Sequence, residues 1–335
     1  MRQINVSLGQ RSYPILIGPG LLGRAAERLS TLPVKRWAVV ADETAASLYA
    51  GSLGLPVYAF PAGEGSKCLA VYESLCRRML ADGFTRADGI VALGGGVAGD
   101  LAGFLAGTIL RGVPLVQMPT TLLAQVDSSV GGKTGLDLPE GKNLIGCFYQ
   151  PRLVLADTAC LATLPRRQLS SGMAEVIKYG CIRDRAFFDF LCAHSSRAAV
   201  MEHIDSVLYT CCDIKRQVVV EDERDTGVRM ILNFGHTVGH AFEKAGGYET
   251  WTHGQAVAAG MVAAERLGAA LGVSDGDGFS ELLEVLSAFG LPTHIDCDWS
   301  AIVEAVGLDK KGTGEQITLV LLEDLGRAVL HRMSK

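Results

Sequence analysis

Short apolar runs alternate with amphipathic segments along the first half of the chain. The runs "RWAVVAD" (36–42), "PVYAFPAG" (56–63), "GIVALGGG" (89–96) and "VPLVQMPT" (113–120) have the composition of buried strands. The segments between them carry apolar residues at helical spacing. Because parallel strands are joined by crossover helices, this alternation predicts a parallel sheet flanked by helices, preceded by a hairpin within residues 4–18.

The pattern changes after the apolar run "RLVLAD" (152–157), where longer helical segments follow one another. A strand pair, "ITLVLLE" and "GRAVLHR", closes the chain. This change predicts two domains, an α/β domain over residues 1–160 and a helical domain over residues 161–335. The helices predicted for the second domain are 166–180, 184–196, 198–220, 233–245, 253–272, 278–289 and 298–307.

Composition and charge narrow the class of protein. The 335 residues carry a formal net charge of -5, which does not favour nucleic acid or a membrane surface as a partner. Nine cysteines without paired spacing, and an N-terminus without an apolar leader, predict a cytoplasmic protein with reduced thiols. Residues 90–110 are apolar enough for a membrane span, but Asp100 and three consecutive glycines favour a strand, a turn and a helix.

A glycine-rich turn follows the strand at 89–96. Gly94, Gly96 and Gly99 form a G-x-G-x-x-G pattern that opens the next helix, the context in which this pattern binds a dinucleotide. The acidic residue expected about twenty positions later is missing, so Asp42, at the end of an earlier strand, is the candidate for the ribose hydroxyls. The pattern also fits a tight packing turn that binds nothing.

A second glycine-rich stretch, "DSSVGGKT" (127–134), imitates a phosphate-binding loop of ATPases. It ends in the expected Gly-Lys-Thr, but Asp127 occupies the position of the required first glycine. ATP hydrolysis is therefore not favoured. Lys133 and Asp127 remain candidates for polar site residues, with a solvated turn as the alternative.

The second half of the chain contains histidines that are candidates for a metal site. His236 and His240 lie four residues apart on one predicted helix face, and Thr237 replaces the glutamate of a zinc hydrolase. Gly235 and Gly239, one before each histidine, are expected to let another backbone or a ligand approach this helix closely. Catalytic zinc takes three protein ligands and keeps one position open. Two sets reach that count: His236 and His253 with Glu175, or His236 and His253 with His240. Spacing does not decide between them, and it also allows a pair of core histidines that bind no metal.

Glu175 and Lys178 lie three residues apart, and taken alone this spacing favours an ordinary surface ion pair.

Taken in order, these motifs resemble the 3-dehydroquinate synthase family. The resemblance covers almost the whole chain and is carried by "GGGVAGDLAGF", "RGVPLVQMPTTLLAQVDSSVGGKTG", "GKNLIG", "GMAEVIKYG", "LNFGHTVGHAFE", "HGQAVAAGM" and "DKK". It implies an N-terminal Rossmann-like α/β domain with a parallel sheet and an all-α C-terminal domain. It also implies NAD, a divalent metal such as Zn2+ or Co2+, and a homodimer.

The resemblance assigns roles to individual residues. The implied metal ligands are Glu175, His236 and His253, which makes His240 a substrate contact. The implied NAD contacts are Asp42, Glu64, Lys67, Gly95, Gly96, Val97, Asp100, Thr120, Thr121, Lys133, Lys142, Thr163, Leu164 and Gln168. The implied substrate contacts are Asp127, Lys133, Asn143, Lys178, Lys215, Arg229, Asn233, His240 and either Lys310 or Lys311. Arg111 is expected to reach the site of the neighbouring subunit, and Lys142 is alternatively a substrate contact.

The reaction that the resemblance implies converts 3-deoxy-D-arabino-heptulosonate 7-phosphate to 3-dehydroquinate and phosphate. An alcohol is oxidised, phosphate is eliminated with the substrate's own phosphate taking the proton, the carbonyl is reduced, and the opened ring recloses by an aldol step. NAD ends unchanged. The alternatives are another sugar phosphate cyclase, a metal-dependent polyol dehydrogenase and a non-catalytic ligand-binding homologue.

Overall fold

The computed structural model describes residues 1–247, 250–296 and 316–334. The strands are β1 Arg2–Val6, β2 Tyr13–Gly18, β3 Trp37–Asp42, β4 Val57–Phe60, β5 Gly89–Gly94, β6 Leu115–Pro119, β7 Lys133–Leu138, β8 Gly141–Phe148, β9 Leu153–Asp157, β10 Gln316–Asp324 and β11 Arg327–Ser334. The helices are α1 Ala25–Leu29, α2 Glu43–Tyr49, α3 Leu69–Ala81, α4 Gly96–Thr108, α5 Arg166–Arg183, α6 Arg185–Ala193, α7 Arg197–Glu202, α8 Ile204–Glu221, α9 His236–Ala245, α10 His253–Ala270 and α11 Phe279–Ala288.

The first compact unit comprises residues 1–164 and 215–220 and is built on a seven-stranded sheet. The strand order is β1-β2-β9-β6-β5-β3-β4, and only the β1–β2 pair, the predicted hairpin, is antiparallel. From β3 the chain moves outward to β4 and then returns to β5 on the other side of β3. The carboxyl ends of β3 and β5 therefore flank a topological switch point, where sheets of this kind bind ligands.

Both faces of this sheet are buried. Within β5, Ile90 and Ala92 pack on one face with α3 and α4, whereas Val91 and Leu93 pack on the other with α1 and α2. Because strand side chains alternate between faces, only a continuous apolar run satisfies both layers. This confirms the predicted parallel sheet flanked by helices, and segment 90–110 divides into β5 and α4 as expected.

A second, two-stranded sheet of β7 and β8 was not predicted. Lys133, expected on a glycine-rich loop, is the first residue of β7 and pairs with Phe148. Gly135 and Gly146 face each other so closely that a side chain on Gly146 would lie 2.4 Å from the Thr134 carbonyl oxygen. The glycines therefore permit a close strand pair, whereas their abundance was interpreted as a sign of a loop.

The second compact unit comprises residues 165–214 and 221–335 and is mostly helical, with the predicted hairpin of β10 and β11. The helix predicted over 198–220 is divided at His203 into α7 and α8. The helix predicted from 233 begins only at His236, because residues 228–233 form a 3-10 turn. The helix predicted over 298–307 lies outside the described residues. Among the described residues, no helix is long and apolar enough to span a bilayer.

Candidate active site

Three helices of the second unit meet through glycines. A side chain on Gly260 of α10 would lie 2.0 Å from the Gly235 carbonyl oxygen, and one on Gly254 would lie 2.0 Å from the Ser171 carbonyl oxygen. Gly239 also faces the backbone of Ala256, though less closely, because a side chain there would have its nearest contact at 3.1 Å. The glycines thus let α9 and α5 approach the backbone of α10, where any larger residue would separate them. The sequence predicted this close approach without identifying what approaches.

This packing gathers Glu175 of α5, His236 of α9 and His253 of α10. Their ligand atoms lie within 4.8 Å of one another. The Nε2 atoms of His236 and His253 are each 3.4 Å from Oε1 of Glu175, whose side chain is fully buried. Of the two sets left open by spacing, the one containing Glu175 is therefore assembled. A second group, His240, Glu243 and His253, shares one histidine with it.

In both imidazole rings the second nitrogen, Nδ1, also has an oxygen neighbour. Nδ1 of His236 is 3.1 Å from the Phe234 carbonyl oxygen, and Nδ1 of His253 is 3.5 Å from Oε2 of Glu243. Ligating histidines in metal sites use this arrangement, with the second nitrogen bound to a carbonyl or carboxylate. Two nitrogens and one carboxylate oxygen, facing one point, fit a divalent metal of the zinc type with an open coordination position.

Burial and charge act differently on the two histidines. Burial lowers the pKa of His236 well below its usual value, although Glu175 opposes the shift, so this imidazole is neutral and able to ligate. Burial also lowers the pKa of His253, but hydrogen bonds to Glu175 and Glu243 outweigh it and raise the pKa to about 10. A metal at this point would replace the proton that these carboxylates attract.

Lys178 lies on the same helix as Glu175 and forms an ion pair with Oε2, the carboxylate oxygen that the histidines do not face. Its side chain is only 1% exposed, so the interpretation of this pair as a surface ion pair is wrong. Residues 171–182 of α5 are buried on all sides, and a helix without an exposed face gives no amphipathic signal. The buried ammonium balances the carboxylate and adds a cation to the cluster.

Arg229 is 2% exposed and is held by the loop that precedes it. Its Nη1 donates to the Glu223 carbonyl oxygen at 2.6 Å. Asp222 closes the loop, because its carboxylate accepts hydrogen bonds from the backbone N–H groups of Thr226, Gly227 and Arg229 at 3.1, 2.7 and 3.1 Å. Burial tends to raise the pKa of Asp222, but these donors lower it below its usual value. No motif in the sequence singles out Asp222.

We expect Asp222→Asn to lower the free energy of unfolding by about 1 kcal/mol near neutral pH, since an amide accepts these hydrogen bonds less strongly than a carboxylate. Because the pKa of Asp222 is depressed in the folded chain, its contribution is present above the unfolded pKa of about 3.9. It is lost as the pH falls through the folded pKa. Chemical denaturation over a pH series measures the difference, with the exposed Asp296→Asn as control. A difference independent of pH contradicts the assignment.

His240 lies beside the metal cluster, and Asn233 precedes it on the chain. The His240 ring centroid lies 5.5 Å from that of His236 and 6.2 Å from that of His253, and the side chain is exposed. Asn233 ends the 3-10 turn 228–233 rather than belonging to α9, which corrects the predicted helix. Gly235, with a left-handed φ of 76°, turns the chain between them.

The glycine turn of the first unit lies at the switch point. Oδ1 of Asp42 accepts a hydrogen bond from the Ala45 N–H at the start of α2. Oδ2 of Asp42 lies 2.7 Å from the point that a β-carbon would occupy if Gly94 were a larger residue. Gly94 has a φ of 145°, and a side chain on Gly95 would lie 3.2 Å from Thr121. A carboxylate, a glycine turn and the start of α4 therefore meet at one end of the sheet, as nucleotide binding requires.

Lys67 is the centre of a polar network in this unit. Its ammonium is 2.7 Å from Oδ2 of Asp100 and 2.5 Å from Oδ1 of Asn143. Glu64 lies 3.9 Å from Lys67 and 3.6 Å from Lys142. Burial lowers the pKa of Lys67, but Asp100 and the other carboxylates raise it above its usual value, so the ammonium stays charged. Five residues implied by the resemblance are thus neighbours.

The structure also gives the positions of four further residues that the resemblance implies. Nζ of Lys215 donates to the carbonyl oxygen and to Oδ1 of Asp127 at 2.7 and 2.6 Å. Thr163 lies beside α2, with its hydroxyl 2.5 Å from that of Tyr49, a contact that the sequence did not suggest. Arg111 is exposed on a turn where Leu110 and Arg111 have φ values of 52° and 71°, unusual for residues with side chains.

The remaining predicted residues fall into two groups. Lys310 and Lys311 lie outside the described residues. Val97 is in the first turn of α4. The remaining residues of the second group donate their backbone N–H groups within the chain: Thr120 to the Gly94 carbonyl oxygen at 2.9 Å, Leu164 to that of Leu161 at 3.3 Å and Gln168 to that of Pro165 at 2.9 Å.

Comparison with known proteins relates these sites to a family. Models of 3-dehydroquinate synthase match residues 57–171 (N-terminal) and 172–312 (C-terminal). A 3-dehydroquinate synthase from Halorhodospira halophila is 48% identical over 98% of this chain and 95% of its own length. A 2-deoxy-scyllo-inosose synthase complexed with carbaglucose-6-phosphate, NAD+ and Co2+ has a TM-score of 0.90 and 28% identity, over 99% of this chain and 97% of its own. A 2-epi-5-epi-valiolone synthase from Streptomyces hygroscopicus, with NAD+ and Zn2+ bound, has a TM-score of 0.88 and 27% identity, over 98% and 95%.

Proposed function

The chain belongs to the 3-dehydroquinate synthase family, and we propose that Glu175, His236 and His253 hold the divalent metal of its reaction. It is an NAD- and metal-dependent lyase of the shikimate pathway, which converts 3-deoxy-D-arabino-heptulosonate 7-phosphate to 3-dehydroquinate and phosphate. The observation that carries the site assignment is the convergence of both Nε2 atoms on one buried carboxylate oxygen. When bound, the metal would lower the pKa of the hydroxyl to be oxidised, and NAD would supply the acceptor and donor of the hydride.

The proposal divides the roles between an NAD-binding domain over residues 1–160 and a metal- and substrate-binding domain over residues 161–335. In the first, the N–H groups at the start of α4 bind the pyrophosphate, and Asp42 accepts from ribose hydroxyls. The position of Oδ2 of Asp42 beside Gly94 supports this role. Lys67, held by Asp100, positions Asn143 and supplies positive charge near the cofactor.

The substrate carries a carboxylate and a phosphate, and the chain is acidic overall, so its recognition depends on fixed cations. We propose Lys178 and Arg229 for this role in the second unit, and Lys133 and Lys215 in the first. The burial of three of them supports it: Lys178, Arg229 and Lys215 are 1%, 2% and 6% exposed, whereas Lys133 is an exposed residue. An arginine held in a fixed orientation binds a carboxylate through two parallel hydrogen bonds. A carboxylate-bearing substrate is therefore favoured over a sugar phosphate without a carboxylate, such as the carbaglucose-6-phosphate bound by the related 2-deoxy-scyllo-inosose synthase.

One assay tests the function. The metal-loaded protein is incubated with NAD and either the heptulosonate phosphate or a sugar phosphate that lacks a carboxylate, and inorganic phosphate and cyclic product are measured. We expect phosphate release with the heptulosonate phosphate. Release only from the carboxylate-free compound identifies another sugar phosphate cyclase. Stoichiometric NADH without phosphate identifies a polyol dehydrogenase, and binding without turnover identifies a ligand-binding homologue.

His240 is proposed to move the proton of the substrate alcohol during oxidation, because its ring lies beside the metal cluster and is open to solvent. We expect His240→Ala to lower turnover by roughly a hundredfold, as loss of a proton-transfer group does. The bound metal should remain near one ion per chain, measured by elemental analysis after dialysis. Loss of the metal in this variant contradicts the assignment and makes His240 a ligand.

Finer properties of the chain are also proposed. We take zinc as the metal, since two imidazoles and one carboxylate form a common catalytic zinc set, with cobalt as the substitute. We propose a homodimer in which Arg111 reaches the site of the neighbouring subunit, supported by its exposure on a strained turn. A cytoplasmic location is supported by free thiols at all eight described cysteines.

A further inference from the structure

Glu243 is a buried carboxylate for which neither the motifs nor the resemblance gave a role. It lies on α9, seven residues after His236, so two helical turns place the two residues on one face. Its side chain is 3% exposed. Burying a carboxylate is costly unless a donor or a positive charge compensates it. Its Oε2 is 3.5 Å from Nδ1 of His253, on the neighbouring helix α10.

Both histidines of the metal site thus have an oxygen atom beside Nδ1, but the oxygen belongs to a different kind of group in each case. His236 has a backbone carbonyl at Nδ1, that of Phe234, whereas His253 has the Glu243 carboxylate. Both rings turn Nε2 toward Oε1 of Glu175. A neutral imidazole can ligate through Nε2 only if its proton is on Nδ1, and an acceptor beside Nδ1 fixes that tautomer and the ring orientation.

Charge gives Glu243 a second effect. A divalent cation bound by Glu175 and two neutral imidazoles would leave net positive charge in a buried site that already contains the Lys178 ammonium. Uncompensated charge of this kind is unfavourable in a low-dielectric interior. The Glu243 carboxylate would offset one of these positive charges without occupying a coordination position of the metal.

We propose that Glu243 is the positioning residue of the metal site: its carboxylate accepts a hydrogen bond from the Nδ1–H of His253, orients Nε2 toward the ion and supplies a compensating charge. This inference rests on the proposed metal-binding function. It differs from a ligand role for Glu243, in which His240, Glu243 and His253 would form the coordination set. The two roles predict different spectra.

The test compares Glu243→Ala and Glu243→Gln with the wild-type chain. Zn2+ affinity is measured by competition with a chromophoric chelator, folding by circular dichroism, and ligand geometry by the visible spectrum of the Co2+-loaded protein. We expect Glu243→Ala to weaken Zn2+ binding by about 10- to 100-fold. Glu243→Gln keeps an acceptor oxygen but loses the charge, so its loss should be smaller. NAD affinity and the Co2+ spectrum should not change.

The matched control is Glu265→Gln, which removes another buried carboxylate, on α10, whose partner is the Ser274 hydroxyl at 3.0 Å. It should bind Zn2+ with wild-type affinity. The inference is overturned if folded Glu243→Ala keeps wild-type affinity, if Glu265→Gln loses as much as Glu243→Gln, or if the Co2+ spectrum of Glu243→Gln shows a changed ligand set. A wild-type chain that binds no Zn2+ overturns the proposed metal site as well, which distinguishes the two failures.

Discussion

His236→Ala is expected to remove the bound metal and to reduce turnover by roughly a thousandfold or more. The estimate follows because a catalytic metal contributes several kcal/mol of stabilisation in the transition state, and each 1.36 kcal/mol is a tenfold change in rate. His236 supplies one of two nitrogens that face Glu175 Oε1 at 3.4 Å, and alanine has no atom that can ligate in its place. Metal content and phosphate release measure the two effects.

The control for this variant is His294→Ala, which removes an exposed histidine of the same unit. It should keep both metal and activity. The fold should survive in both variants, because losing the His236 imidazole leaves the glycine contacts between α9 and α10 intact. A His236→Ala protein that retains one metal per chain and wild-type turnover contradicts the ligand assignment.

Gly260→Ala is expected to destabilise the fold by about 1–3 kcal/mol or more, the range for overpacking a core. The added methyl would lie 2.0 Å from the Gly235 carbonyl oxygen and 2.9 Å from the Gly239 nitrogen. Both are backbone atoms, so relief requires α9 to move away from α10. Since His236 begins α9 and His253 begins α10, the same movement separates two ligands, and we expect weaker metal binding together with a lower Tm.

The same helix offers an internal control of opposite sign. A side chain on Gly268 would meet nothing closer than 3.5 Å, the Ser274 hydroxyl. Gly268→Ala should therefore stabilise the fold by about 0.5–1 kcal/mol, since alanine is the better residue within a helix. Thermal unfolding of the metal-free proteins distinguishes the two variants. Equal effects of both substitutions on Tm contradict the role given to the helix contact.

The sequence predicted the parallel sheet because apolar strand runs and helical spacing are local properties. It also predicted that Gly235 and Gly239 permit a close approach. The prediction from sequence was wrong where the structure depends on contacts between segments that are distant along the chain. Residues 171–182 of α5 are buried on all sides and so show no amphipathic pattern, and Glu175 and Lys178 therefore resembled a surface ion pair. The glycines of β7 and β8 resembled those of a loop.

The choice of metal ligands illustrates the same limit. Spacing placed His236 and His240 on one helix but said nothing of distances to α5 or α10, so two sets remained open. Only the approach of the three helices puts Glu175 within 3.4 Å of both imidazoles. Glu243 was detectable in principle, because a glutamate seven residues after His236 shares its helix face. Its partner, His253, lies on another helix and was not predictable from that spacing.

The central claim is that this chain eliminates phosphate through a reaction in which NAD is reduced and then reoxidised. The direct test is to supply NAD equal to the chain concentration, with substrate in large excess, and to follow phosphate and NADH together. We expect phosphate release to continue far beyond one equivalent of NAD while free NADH does not accumulate, and chelation of the metal to stop phosphate release. NADH rising in step with turnover, or phosphate release that ends after one equivalent, would contradict it.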